Sequence, residues 1–113
     1  MRFLKSIEVC GTPYKVCRGS MKEMPEHEGW CDFAAKKIAI REDRKGRAFD
    51  SVLFHELLHA TVHESGCGGH FAEVTRLRGA RLAKAEETFV QILSAGLPQA
   101  LLSAGLLRRR RSP

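Results

Sequence analysis

The sequence has no Cys-x-x-Cys pair, no apolar block near its N-terminus and no internal repeat. Each absence narrows what the chain can be. Without cysteines at metal or redox spacing, Cys10, Cys17, Cys31 and Cys67 offer no ready structural zinc site. Met1-Arg2-Phe3-Leu4-Lys5 does not begin a signal peptide, so a cytoplasmic location is expected. The thiols are then expected to be reduced and mostly buried rather than paired. The uncharged run from Thr88 to Leu107 precedes four arginines, which is the order of a membrane anchor with a basic flank. It contains Gln91, Ser94, Pro98, Gln99 and Ser103 and no dense Leu/Ile/Val block. Two packed helices broken near Pro98 are expected there, and no membrane contact.

What remains is one ordinary globular domain. The chain has 113 residues, of which 43% are hydrophobic and 28% charged, enough for a single core. Lysine and arginine number 19 against 13 acidic residues, a net charge of +6. Four of those positive charges are Arg108, Arg109, Arg110 and Arg111, so the excess is mostly a tail. The division expected is a domain over 1–107 and a basic, disordered tail over 108–113. Such a tail can make weak contacts to nucleic-acid phosphates.

Ser6 to Val9 and Tyr14 to Cys17 are β-rich, with Gly11-Thr12-Pro13 between them, which predicts a hairpin. Trp30 to Ala34 and Lys37 to Arg41 predict a second strand pair, with Ile38 and Ile40 on one face and Ala39 on the other. From Arg47 to Glu64 the apolar period becomes helical, and Gly66 is placed to stop the helix. A short helix over His70 to Arg78, a longer one over Arg81 to Ala95 and a last segment from Gln99 to Leu107 complete the reading. The fold class is therefore α+β: a small N-terminal antiparallel sheet, a central helix and a C-terminal helical pair.

The central helix carries His55-Glu56-Leu57-Leu58-His59. Residues four apart lie one above the other on a helix, so both imidazoles can reach one ion. Glu56 is offset beside them, where its carboxylate can take a proton from water next to the metal. Zinc suits two imidazoles and a carboxylate and keeps a fourth position open. Burying two histidines and a glutamate with no shared partner would be costly.

The chain does not supply a third ligand by continuing the same motif. In the extended form a glycine and a third histidine follow, and here Val62 and Ser65 stand at those positions. His63 continues the four-residue step but points past the metal, and is expected to face substrate or support the site. Glu86 and Glu87 remain. Measured from Phe89 at 100° per residue, Glu86 lies at about 60° and Glu87 at about 160°. The apolar face of Phe89, Val90, Ile92, Leu93 and Leu97 encloses the first and leaves the second at its edge. Glu86 is therefore favoured as the carboxylate ligand over Glu87.

The order of these elements resembles the small gluzincin-type zinc metallopeptidases. It is most similar to the compact phage and prophage metallopeptidase-like proteins, through Gly29-Trp30-Cys31-Asp32, Ile38-Ala39-Ile40, His55-Glu56-Leu57-Leu58-His59-Ala60 and Glu86-Glu87-Thr88-Phe89-Val90. It is more distantly similar to the ImmA/IrrE-type peptidases, which often have a histidine where His63 stands. The resemblance covers roughly residues 6 to 107. It implies a minimal zincin-like fold, Zn2+ as cofactor, and His55, His59 and one of the Glu86–Glu87 pair as ligands. It also implies Glu56 as general base, a peptide or protein substrate and, for a phage protein, the host cytoplasm. Phe89 and Val90 stand where the family places a small residue and an aspartate after the ligand glutamate. Asp32 or Asp50 would have to replace that aspartate as the partner of His59. Tyr14, His63 and His70 are the candidates for stabilising an oxyanion.

Two functions follow as expectations. The first is a zinc endopeptidase, with the Ile38-Ala39-Ile40 strand as an open edge to which an extended peptide adds. The second is a non-catalytic module in which zinc ties helix to helix and the basic tail meets nucleic acid or an acidic protein. Glu56 favours the first, because a purely structural site has no use for a base beside its metal.

Overall fold

The computed structural model describes residues 1–66 and 76–105. Six elements follow in chain order: β1 (Arg2–Val9), β2 (Thr12–Gly19), β3 (Gly29–Asp32), β4 (Lys37–Arg41), α1 (Arg47–Ser65) and α2 (Gly79–Ser103). The α+β class read from the sequence is the class the chain adopts.

β1 and β2 form the expected hairpin, but its turn is Cys10-Gly11. Both residues have positive φ, 50° and 81°, the backbone that two-residue hairpin turns require and that Gly11 adopts without strain. Thr12 and Pro13 already belong to β2 and face Val9 and Glu8. The lack of an N–H on Pro13 does no harm, because pairing of β2 with β4 begins only at Lys15.

The sheet is mixed rather than wholly antiparallel. Its order is β1-β2-β4-β3, and β2 runs parallel to β4 from Lys15↔Lys37 to Gly19↔Arg41. β3 and β4 pair antiparallel, from Gly29↔Ile40 to Asp32↔Lys37. The Ile38-Ala39-Ile40 strand is therefore interior, not an open edge. All three of its residues are fully buried, as a strand covered on both faces requires. The edges are β1 and β3.

One face of the sheet packs on α1. Tyr14, Val16, Ile38 and Ile40 meet Phe49, Leu53 and Ala60 there. Gly29 lets β3 and α1 approach closely, since a Cβ at that position would collide with Val52. On the other face Met24 covers Gly19, where any side chain would strike its thioether.

α1 stops at Gly66, whose φ of 74° gives the left-handed cap and whose N–H bonds to the His63 carbonyl. The short helix expected from His70 falls largely outside the described residues, as do Cys67, His70 and the arginine run. Among the described cysteines none is bonded, and Cys17 is buried, Cys31 half-buried and Cys10 exposed. α2 continues unbroken through Pro98, contrary to the helical pair expected. Proline removes one hydrogen bond from the ladder, and the next turns hold, as Ala104 N–H to the Ala100 carbonyl at 2.9 Å illustrates. Among the described residues no helix is long and apolar enough to cross a membrane.

Candidate metal centre

His55 and His59 stand one turn apart on α1, with ring centroids 5.0 Å apart and edge to face. α2 brings Glu87 across them. Its Oε1 lies 3.0 Å from His55 Nε2 and its Oε2 lies 2.8 Å from His59 Nε2. One ligand atom from each of the three residues falls within 4.8 Å of the other two. Zinc–ligand distances of about 2.0–2.2 Å need ligand atoms about 3.4 Å apart, so small rotations would seat an ion.

The helical wheel favours Glu86, whereas the carboxylate that lies between the two imidazoles is that of Glu87. Glu86 Oε1 reaches only His59 Nδ1, at 3.8 Å, on the outer side of the ring. The wheel failed because it gave equal weight to every apolar residue of α2. Phe89, Ile92 and Leu97 are 45%, 65% and 36% exposed, while Val90 is fully buried. The stripe that meets α1 is Glu87, Val90 and Ser94, and Glu86 flanks it.

Ser94 was not foreseen. Its oxygen lies 2.8 Å from the Val90 carbonyl and 3.2 Å from His55 Nδ1, and the hydroxyl can donate to either, the His55 tautomer setting the direction of the second contact. Ser94 thus holds one nitrogen of the His55 ring and Glu87 the other. In the Nε2–H form each ring donates to Glu87, and in the Nδ1–H form the same three residues turn ligand atoms towards one point. The only sequence signal for Ser94 is its seven-residue spacing from Glu87 on one helix face.

Glu56 is 8% exposed and lies in the seam between α1 and β3, where its Cγ would be 3.4 Å from a Cβ on Gly29. Among the described residues no group hydrogen-bonds its carboxylate. Burial pushes its pKa up to about 7, against the pull of His55 and with the help of the nearby Glu87 charge. The thiol of Cys31, across the same seam, is pushed up to about 12 by burial and then by Glu56 and Asp32.

The other candidates are engaged elsewhere. His63 stacks on Phe33, with centroids 4.3 Å apart and planes 9° from parallel. Tyr14 is fully buried and its hydroxyl donates to Glu64 Oε1 at 2.7 Å. Asp32 Oδ1 accepts from the Ala35 N–H at 2.9 Å, closing the β3–β4 turn. Asp50 sits in the first turn of α1. His70 lies outside the described residues. Glu64 was also not foreseen, and nothing in its spacing sets it apart from a surface glutamate.

Comparison with known protein families, with curated proteins and with solved structures gives no match.

Proposed function

We propose that the protein is a zinc-dependent peptidase, with His55, His59 and Glu87 as metal ligands and Glu56 as general base. The observation that carries this reading is the convergence of His55, His59 and Glu87 on one point beside the Glu56 carboxylate, which no described group hydrogen-bonds. The residues that converge are also those that carry the resemblance to small zinc metallopeptidases. A zinc ion held by these three residues supplies Lewis acidity towards a substrate carbonyl and makes water a better nucleophile. Glu56 takes the proton from that water and returns it to the departing amine. A carboxylate that stands beside the ion without binding it is placed to do both. Ser94 holds the His55 ring, and Glu86 stands beside the outer nitrogen of His59, the places where metal-binding histidines commonly find a partner.

The open strand β3 is the supporting element for substrate. An extended peptide that adds to Gly29–Asp32 would run its backbone along the seam that holds Glu56. The peptide hydrogen bonds of such a strand are independent of side chains, so an endopeptidase with modest sequence preference fits best.

Measuring bound zinc and the cleavage of a peptide library, for the wild type and for Glu56→Gln, tests the reading. Wild type should bind one zinc per chain and cleave, and the variant should bind zinc without cleaving. Zinc binding with no cleavage by either protein would support the non-catalytic, zinc-stabilised module instead. Absence of zinc binding would reject both.

A further inference from the structure

The sheet face turned away from α1 carries a second constellation. Register aligns Phe3, Cys17, Ala39 and Trp30 in one row across all four strands. The two aromatic residues stand on the edge strands, and between them Ala39 is fully buried and Cys17 nearly so. The next row is Ser6, Lys15, Lys37 and Asp32. Met1, Phe3, Lys15, Cys17, Glu23 and Lys37 line an open groove of about 590 Å³ on this face.

The charges on the groove are unbalanced. Lys15 and Lys37 lie directly abreast on paired strands, an arrangement that costs stability unless an anion relieves it. Among the described residues neither ammonium has a carboxylate within 4.0 Å. Of the acids nearby, Glu23 is ion-paired elsewhere, and Asp32 stands abreast of Lys37 without closing to an ion pair. Glu23 pairs with the Met1 ammonium at 3.2 Å and accepts from the Ser20 N–H at 2.9 Å, and Asp32 accepts from the Ala35 N–H. Lys37 Nζ sits 5.5 Å from the centre of the Trp30 ring, which keeps the cation beside an aromatic face. Phe3, on the other edge strand, is 58% exposed and lines the groove.

We propose that this face binds single-stranded nucleic acid, with bases stacking on Phe3 and Trp30 and phosphates meeting Lys15 and Lys37. Aromatic platforms on a sheet with cations between them match the alternation of flat base and charged linkage along a single strand. A duplex hides its base faces and would use only the lysines. An acidic protein would likewise use the lysines and leave the aromatic walls without stacking partners.

Trp30 is the only tryptophan, so its emission reports this face directly. Titrating the full chain with a short oligothymidylate should quench Trp30 saturably. Lys15→Gln/Lys37→Gln should weaken binding by roughly tenfold and flatten its salt dependence by about 1.4 in log–log slope, the share of two phosphates on a single strand. Phe3→Ala should weaken it by about fivefold or more, the effect of one lost stacking contact. Replacing Arg108 to Arg111 with glutamine should leave the quenching in place. Three results would overturn the proposal. One is no binding. The second is binding that survives the double lysine variant and vanishes with the arginine replacements. The third is polyglutamate binding that quenches Trp30 equally and depends on the same lysines, which would mark a surface for acidic proteins.

Discussion

α1 carries two polar clusters, one at its middle and one at its end, and they are built on opposite plans. At the end, Glu64 is surrounded by donors. It accepts from the Tyr14 hydroxyl at 2.7 Å, from the Thr12 hydroxyl at 3.2 Å and from the Lys36 ammonium. Every group there has its complement, so the cluster needs nothing from outside. At the middle, the same atoms can serve as a hydrogen-bonded cluster or as ligands to an ion. The Nε2 atoms of His55 and His59 both face the two oxygens of Glu87, and among the described residues no group hydrogen-bonds the Glu56 carboxylate. The first plan ties the hairpin and the β3–β4 turn to the helix. The second brings three possible ligand atoms together beside a carboxylate that no described group hydrogen-bonds, which is the arrangement the proposed metal site requires.

The largest expected effect lies in the open cluster. Glu56→Gln should lower the rate of peptide cleavage by about 10²- to 10⁴-fold, the usual contribution of a positioned general base. Zinc content and thermal stability should be retained, because the amide replaces a side chain that binds no metal. Loss of zinc in this variant would mean that Glu56 is itself a ligand, and the contrast between base and ligand on α1 would collapse.

The two neighbouring glutamates on α2 come next. Glu87→Ala should lose zinc affinity by more than the roughly 10- to 100-fold expected for an outer partner. Glu86→Ala should stay within that range, and Ser94→Ala should weaken zinc by about tenfold, since each only supports the outer nitrogen of a ligand ring. Isothermal titration with zinc measures all three. Equal losses in Glu86→Ala and Glu87→Ala would show that the helix face is shared and not divided as argued.

The same contrast explains what could be read in the sequence. The closed cluster was invisible, because Thr12, Tyr14, Lys36 and Glu64 come from three separate parts of the chain and share no spacing. The open cluster was half legible. His55, Glu56 and His59 lie within one helical turn, so local geometry alone brings them together. Its other half depends on which stripe of α2 meets α1, and that is a tertiary fact. Phe89 and Ile92 drew the predicted face towards Glu86, whereas Val90 is the residue that packs. The sheet followed the same rule. The hairpin pairings were legible from alternation and turns, but the parallel contact of β2 with β4 joins strands with no local signal between them. Pro98 misled in the other direction, because a propensity that ends a short helix is overridden inside a long one.

The smallest expected effect belongs to the closed cluster, and it is a matter of acid. Lys36 and Tyr14 hold the Glu64 carboxyl down at about 2, against an ordinary value of 4.5. A carboxylate with a lowered native pKa adds stability that is fully present above the unfolded value and is lost as pH falls towards the folded one. Wild type should therefore be more stable than Glu64→Gln at pH 6, and the two should converge as pH drops from about 4.5 to about 2. Melting temperatures taken across that range measure the difference. Tyr14→Phe removes one of the three donors and should reduce the wild-type advantage without abolishing it, since Lys36 still faces the carboxylate. A gap between wild type and Glu64→Gln that stays constant down to pH 2 would mean that Glu64 contributes by packing and not by charge. Because the cluster lies at the end of α1, none of these changes should alter zinc affinity by more than about twofold, within the range expected for separate sites.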